Sequence, residues 1–202
     1  MVARLQQELQ TSPQIVRRRL PRITDNHASV VLRVSVNGSA VLLGGDLQVR
    51  DNDSFGWKAI IRDFGKDYAS DAYKVAHHGS SNADDDQIWE QMLTPNPPAL
   101  ISPYVGGGNN LPTLDDCRRL KARTNHAYIT APPVAKRHRD SNPAVERTLK
   151  EATRRVSEVP GKFGHLRLRK ATTEIGSWQV ERFGDGMSID NCIRLLEDMR
   201  HS

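Results

Sequence analysis

The chain has 202 residues, of which 37% are hydrophobic and 5% aromatic, and its mean hydropathy is −0.59. A chain of this length suits one domain, or one domain with an appendage, and can bury a core built from Val, Leu, Ile and Ala. No stretch approaches the roughly 20 apolar residues of a membrane span, and the first residues lack the apolar run of a signal peptide. The composition therefore predicts a cytoplasmic protein with no membrane partner, and the net charge of +5 weakly favours a partner that carries phosphate.

The first third of the chain predicts a connector, a hairpin, a helix and a strand. Residues 1–23 are typical of a short helix followed by a basic connector, in which "RRRLPR" is most simply solvated surface. In "SVVLRVSVNGSAVLLGGD", apolar residues alternate on both sides of Asn37-Gly38, which predicts a β-hairpin that ends at Asp46. An amphipathic helix in "SFGWKAIIRDFG", ended by Gly65, and a strand in "DAYKVAHH" follow.

The rest of the chain continues this alternation of strands and helices. We expect a helix near residues 84–93, a strand at "PALIS", a long loop at "VGGGNNLPT", a helix over 114–123 and a strand at "HAYIT". A helix over 143–155, two strands around "HLRLRK" and "SWQVERF", and a last amphipathic helix within 186–202 complete the pattern. This order predicts an α/β fold with helices packed on a sheet. Cys117 and Cys192 stand far apart in the sequence, so we expect two reduced thiols in the core or in helices.

Candidate chemistry lies where two of the predicted strands end. Asp46 closes one strand and His77 closes a later one, so both reach the same sheet edge if these strands are neighbours. A carboxylate and an imidazole together favour a metal such as Zn²⁺, and Ser80 and Ser81 add hydroxyl or N–H groups for a bound oxyanion. Each feature alone is more often a turn or polar surface, and only their combination favours a site.

These motifs resemble a known family. "NHASVVLRVSVNGSAVLLGGDLQ", "DAYKVAHHGSSNA" and "PALISPYVGGGNNLPT" are similar to the second half of a metallo-β-lactamase-fold hydrolase, as found in the DNA-uptake channel proteins of competent bacteria. The resemblance covers roughly residues 24–185. It implies the second half of an αββα sandwich, with a mixed sheet and helices packed outside, followed by a C-terminal helix over 186–202.

The resemblance also implies roles for individual residues. Asp46 matches the carboxylate that bridges two divalent metal ions, zinc or alternatively manganese, and His77 matches the last metal-binding histidine. His78 is a further catalytic candidate, either behind the metal ligands or facing the substrate. Ser80 and Ser81 match the loop that follows and are candidates for binding the substrate.

The sequence departs from the family because it lacks the His-x-His-x-Asp-His cluster that supplies most ligands. A catalytic zinc usually has three protein ligands, so Asp46 and His77 do not define a site alone. His27 and the acidic residues 84–86 are possible substitutes, although the acidic triplet is better explained as a helix cap. We therefore expect a second polypeptide, or a longer chain, to supply the first half and to cover an apolar sheet face that this chain exposes.

The function that follows from the resemblance is hydrolysis of phosphodiesters, particularly in DNA or RNA. Arg167 and Arg169 are candidates for holding backbone phosphates, and "KRHR" at 136–139 lies in a loop that could border the site. The sequence shows no aromatic set for stacking bases, so it does not indicate a preference for single strands. The alternatives are a non-catalytic interaction subunit and a basic nucleic-acid-binding module.

Overall fold

A computed structural model describes residues 25–65, 68–106, 110–134, 142–154, 162–171 and 176–201. The predicted N-terminal helix, the basic cluster of residues 17–22 and the "KRHR" segment lie outside the described residues, as does the side chain of His27. The strands are β1 (Leu32–Val36), β2 (Ser39–Leu43), β3 (Ala72–Lys74), β4 (Ala99–Ile101), β5 (Ala127–Ile129), β6 (Gly164–Arg169), β7 (Gln179–Gly184) and β8 (Met187–Ser188). The helices are α1 (Gly56–Phe64), α2 (Asp86–Gln91), α3 (Leu114–Arg123), α4 (Pro143–Ala152) and α5 (Ile189–Arg200).

The predicted order of strands and helices is confirmed. Asn37 and Gly38 both have positive φ and join β1 to β2 in the antiparallel hairpin that the sequence predicts. Two details differ. Gly65 follows α1 with a φ of −59°, so the helix ends there without a left-handed cap. The strand predicted to run to His77 ends at Lys74, because His77 adopts a positive φ that β-structure does not allow.

Six strands form one mixed sheet in the order β1-β2-β3-β4-β5-β8. Strands β2, β3, β4 and β5 are parallel to one another, and β1 and β8 are antiparallel edge strands. Strands β6 and β7 pair separately as a two-stranded antiparallel ribbon, which we call the β6–β7 ribbon. The chain is therefore a mixed α/β protein, and no helix within the described ranges has the length and apolar character needed to cross a bilayer.

Helices α1, α2, α3 and α5 cover one face of the six-stranded sheet, whereas α4 is exposed along its described length. On this face Leu42, Tyr73 and Ile101 are at most 1% exposed. They belong to one hydrophobic cluster with residues from α1, α2, α3 and α5, and the Tyr73 ring makes T-shaped contacts with the rings of both Trp57 and Trp89. The helix-covered face of the sheet is therefore the hydrophobic core of the molecule.

The opposite face of the sheet carries apolar residues that remain exposed. The register places Leu32 beside Leu43 and Val34 beside Val41, so all four side chains share this face. Leu32, Val34 and Val36 on β1 are 53%, 49% and 58% exposed. We call these three residues the open apolar patch, and the exposed apolar sheet face predicted from the sequence is present at this edge.

Two further contacts hold the outer parts of the fold. Lys170, which follows β6, forms an ion pair with Asp71 just before β3 and so ties the β6–β7 ribbon to the sheet. Cys117 on α3 and Cys192 on α5 are both buried free thiols, as the sequence predicts. A hydrogen bond to Cys192, together with burial, raises the pKa of Cys117, so the two thiols lie side by side between the helices.

Candidate functional site

Asp46 and His77 lie side by side at the carboxyl edge of the sheet. Leu43, the last residue of β2, is in register with Lys74, the last residue of β3. Asp46 and His77 each follow three residues beyond these positions, and the backbone N–H of His77 donates to the carbonyl of Gly45 at 2.9 Å. The sequence-based expectation that these neighbouring strand ends meet is therefore confirmed.

The two glycines before Asp46 allow this close approach. A Cβ on Gly44 would lie 2.8 Å from the Cβ of Ala76, which no ordinary packing tolerates. Gly45 has a φ of +55°, and a Cβ there would lie 2.6 Å from the carbonyl oxygen of Val30. The backbone N–H of Asp46 then donates to Ser29 Oγ at 2.8 Å, which fixes the turn that presents the carboxylate.

The "HHG" turn holds both histidines in a strained backbone conformation. His77 and His78 have φ values of 44° and 56°, and Gly79 has a φ of 83°. The left-handed region costs roughly 1–2 kcal/mol for a residue with a side chain, so this turn persists only because its surroundings fix it. Arg119 on α3 contributes by donating from Nη2 to the carbonyl of Gly79 at 2.7 Å.

The turn brings both imidazoles to one carboxylate oxygen. Asp46 Oδ1 lies 3.9 Å from His77 Nδ1 and 3.8 Å from His78 Nε2. His78 Nδ1 lies 3.0 Å from the carbonyl oxygen of Ser102, and because a carbonyl only accepts, Nδ1 carries the proton. In a neutral His78, Nε2 and Asp46 Oδ1 are then both acceptors, and such a pair is favourable only with a proton or a cation between them.

The side chain of His77 is more buried than that of His78, and two amide groups lie beside its ring. The amide nitrogens of Asn26 and Gln48 lie 3.4 Å from Nδ1 and Nε2 of the ring, and since a neutral imidazole accepts at one nitrogen only, one amide donates at a time. Burial lowers the pKa of His77, opposed by the Asp46 carboxylate, while His78 lowers it further. The neutral, ligand-competent form of His77 is thus favoured at neutral pH.

The donor chemistry of this cluster fits a borderline divalent metal, but the number of donors is small. Carboxylate oxygen and imidazole nitrogen are the ligands that zinc takes in catalytic sites, and a backbone carbonyl behind a histidine fixes its tautomer, as Ser102 does here. The two ring centroids lie 6.0 Å apart. Within the part of the chain that the structure describes, no three His, Cys, Asp or Glu side chains are grouped closely enough to hold a metal ion.

The other sequence-predicted site residues lie around or away from this cluster. Ser80 donates its backbone N–H to the carbonyl of His77, and Ser81 is exposed in the next turn, so both belong to the loop after the histidines. Arg167 and Arg169 lie on the β6–β7 ribbon, where Arg167 pairs with Glu181 at 2.5 Å.

The acidic triplet has structural roles. Asp85 accepts from the backbone N–H of Gln87 as the N-cap of α2, which confirms the predicted helix cap. Asp84 accepts from Trp89 Nε1 and pairs with Arg119 at 2.5 Å. Asp86 pairs with Arg123 on α3. These carboxylates join α2 to α3 instead of adding ligands beside Asp46.

Several residues that shape the site are not evident from the sequence. Asn26, Gln48 and Ser102 contact the histidines through an amide or a backbone carbonyl, and the ring of Tyr104 lies 5.4 Å from that of His78. Gln48 stands two residues after Asp46 in "GGDLQ", and this proximity is the one signal that could have pointed to it. The others come from separate segments that only the fold brings together.

Comparison with protein-family models, with curated proteins and with solved structures gives no match. Any functional assignment therefore depends on the sequence motifs and on the geometry of the described residues.

Proposed function

We propose that the chain is part of a metal-dependent hydrolase, a phosphodiesterase or nuclease, whose site is completed by another polypeptide or by a further segment of a longer chain. One observation carries this proposal: Asp46 Oδ1 faces one nitrogen from each of His77 and His78 at 3.9 and 3.8 Å, with His78 oriented by the Ser102 carbonyl. A carboxylate and two imidazoles converging at a strand edge are typical of a metal centre.

The chain's own residues have separable roles in this proposal. Asp46 lies between the two histidines and is the group that would be shared by two divalent ions, zinc or manganese. His77 supplies a second ligand, and His78 either lies behind the metal ligands or faces the substrate, so the remaining ligands come from the completing segment. When bound, such ions stabilise charge that develops on a phosphoryl oxygen and activate water near neutral pH.

The preference for phosphodiester substrates has two supports. The net charge of +5 favours a polyanion, although the excess of basic over acidic residues is small. The resemblance of the "GGD" and "HHGS" segments to a DNA-processing branch of the metallo-β-lactamase fold points to DNA or RNA. A β-lactam is a poor candidate because neither support applies to it.

The open apolar patch supports the idea that a second layer is supplied from elsewhere. Leu32, Val34 and Val36 lie on an edge strand and expose about half of their surface. An αββα sandwich buries such a face against a second sheet, and a chain with the His-x-His-x-Asp-His half would both cover it and add ligands. In this proposal one polypeptide both covers the apolar face and supplies the missing metal ligands.

Metal content is the first test. Mass spectrometry of the chain purified alone and of the chain isolated with its native partner should give two equivalents of zinc or manganese only in the assembly. Stoichiometric metal in the lone chain would show that the ligand set is complete without a partner. Absence of metal from both samples would refute the metallohydrolase.

Substitution of the site residues is the second test. In the complete assembly, Asp46→Ala and His77→Ala should abolish metal-dependent hydrolysis of a phosphodiester. Asp51→Ala and His126→Ala are matched controls on exposed loops, and each should retain full activity. Equal activity in all four variants would assign the chemistry to another protein.

A non-catalytic interaction subunit is the second candidate, favoured by the same exposed patch and by the small number of grouped metal ligands within the described residues. In that case "GGD" and "HHGS" are only turns that join strands to loops. Asp46→Ala and His77→Ala would then leave the activity of the assembly intact, whereas charged substitutions in the open apolar patch would disrupt it.

A further inference from the structure

One side of the β6–β7 ribbon combines exposed rings with basic side chains. His165 lies opposite Phe183 and Arg167 lies opposite Glu181 in the antiparallel register. Phe163 directly precedes β6, and its carbonyl accepts from the N–H of Asp185 at 3.1 Å, so the ribbon pairing extends to it. Alternate residues of a strand share a face. We call the resulting set the outer ribbon face; it comprises Phe163, His165, Arg167, Arg169, Glu181 and Phe183.

The rings of the outer ribbon face are exposed to different extents, and Phe163 is the freer of the two phenylalanines because Phe183 also contacts His165 and Arg167. Phe163 is 77% exposed and Phe183 is 43% exposed. The His165 ring stacks beside Phe183, with centroids 5.4 Å apart and planes at 24°, and the Arg167 guanidinium lies 5.3 Å from the centre of the Phe183 ring. Exposing two phenylalanine rings to water on one ribbon is unfavourable unless a ligand covers them. These rings form an aromatic set that was not evident from the sequence.

The charges on this face suit a phosphate backbone. Arg169 is exposed, and no described residue forms a hydrogen bond or close ion pair with it, although its charge helps to lower the pKa of Glu181. Its guanidinium can therefore bind a phosphate, in competition with that carboxylate. Arg167 forms a bidentate ion pair with Glu181, from Nε to Oε2 at 2.5 Å and from Nη2 to Oε1 at 3.0 Å, but both side chains are more than a third exposed, so water and salt screen the attraction. A phosphate can therefore replace Glu181 as the partner of Arg167.

We propose that the outer ribbon face binds single-stranded DNA or RNA, with bases stacked on Phe163 and Phe183 and phosphates held by Arg169 and Arg167. Unpaired bases present a free face to an aromatic ring, which bases inside a duplex do not. Alternate positions on a strand lie about 6.8 Å apart, so the positions from 163 to 169 span about 20 Å, enough for several nucleotides. The inference depends on the proposed function only for the choice of a phosphodiester ligand.

The test is the binding of fluorescent 20-residue oligonucleotides of DNA and of RNA to the full chain, measured by anisotropy in EDTA so that no hydrolysis is needed. Phe163→Ala and Arg169→Ala should each weaken binding about tenfold. Glu181→Gln should strengthen it, because Arg167 then loses its competing carboxylate. A duplex of the same length should bind at least about tenfold more weakly than the single strand.

Two matched controls lie elsewhere. Phe55→Ala removes an exposed phenylalanine before α1, and Arg182→Ala removes an exposed arginine from the other side of the same ribbon. Both variants should bind the oligonucleotide with an affinity within about twofold of that of the unmodified chain, since neither residue belongs to the proposed binding face.

Three results would overturn the inference. These are no binding of either single strand up to about 100 µM, where even non-specific binding is measurable; equal affinity for single strand and duplex; or no effect of Phe163→Ala. The outcome is separable from that of the proposed function, because binding without metal-dependent hydrolysis refutes the hydrolase alone. Metal-dependent hydrolysis by the assembly, combined with no effect of Phe163→Ala on binding, refutes the ribbon site alone.

Discussion

The two faces of the six-stranded sheet differ in what covers them. On one face Leu42, Tyr73 and Ile101 are sealed under helices, and on the other the open apolar patch of β1 remains about half exposed. Both faces are apolar, so composition alone does not distinguish them. The difference shows that the described helices bury only one face of the sheet, while strand β1 keeps apolar surface in contact with water on the other.

The largest effect should come from the sealed face. Ile101→Ala should lower the free energy of unfolding by about 4 kcal/mol, since it leaves a cavity in a fully buried position. Val34→Ala in the open apolar patch should lower it by no more than about 0.5 kcal/mol. Urea unfolding of both variants measures the contrast, and similar losses would show that the second face is packed after all.

The next largest loss of stability should come from Arg119, the residue of α3 that holds the turn of His77 and His78 in place. Arg119 pairs with Asp84 at 2.5 Å and with Asp116 at 3.0 Å, and both carboxylates are less than a tenth exposed. Arg119→Leu should cost about 3 kcal/mol of unfolding free energy because it leaves these charges unpaired. It should also broaden the NMR signals of His77 and His78, because Gly79 loses its hydrogen-bond donor.

Arg118→Leu is the matched control for that substitution. The Arg118 side chain is 52% exposed and pairs with Glu197 at the surface, so its loss should cost less than about 1 kcal/mol. If Arg119→Leu left both stability and the histidine signals unchanged, the anchoring of the turn by α3 would be disproved.

A smaller effect concerns the attachment of the β6–β7 ribbon to the sheet. Partial burial opposes ionisation of Asp71, but hydrogen bonds from Lys170 and from the Ala40 N–H outweigh it and lower the pKa of Asp71. A lowered carboxyl pKa contributes stability that is present above about pH 3.9 and lost as the pH falls through the folded-state value.

Lys170→Met should therefore raise the pKa of Asp71 and reduce stability at neutral pH by about 1 kcal/mol, with little difference from the unmodified chain once the pH is below the folded-state pKa of Asp71. Urea unfolding across this range measures the change. Lys58→Met, which removes an exposed ion pair with Asp53, should show no such pH dependence. A parallel loss at all pH values would indicate a packing role for Lys170 and not an ionic one.

The smallest change in stability should come from charging the open apolar patch. Leu32→Lys combined with Val34→Lys should leave the unfolding free energy within about 0.5 kcal/mol, because both side chains already contact water. If a second polypeptide covers this face as proposed, the doubly substituted chain should fail to co-sediment with it in sedimentation velocity. A loss of more than about 2 kcal/mol would contradict an open face.

Much of the fold follows from the sequence because it depends on local patterns. The Asn37-Gly38 turn defines the hairpin, and the capping box of Thr113 and Asp116 starts α3 at the predicted residue. The exact end of β3 does not follow from such patterns. It is set by the left-handed turn at His77, which depends on hydrogen bonds to Gly45 and on the contact of Arg119 with Gly79.

The candidate site was predictable only in part. Asp46 and His77 come together because parallel neighbours end at the same edge, which is a rule of topology. The contacts of Asn26 and Ser102 with the histidines come from segments that are distant in sequence, and no local pattern encodes them. The aromatic character of the outer ribbon face was likewise hidden, since Phe163 and Phe183 come to the same side of the ribbon only through the register of β6 and β7.

The paired thiols of Cys117 and Cys192 have a practical consequence. Both are completely shielded between α3 and α5, so an alkylating reagent reaches them only when the C-terminal helix separates from the sheet. The rate at which the two thiols are modified under native conditions therefore measures how often α5 opens. Helix α5 packs on the helix-covered face of the sheet. A slower modification rate in the presence of a partner bound to the opposite face would show that binding there also stabilises α5.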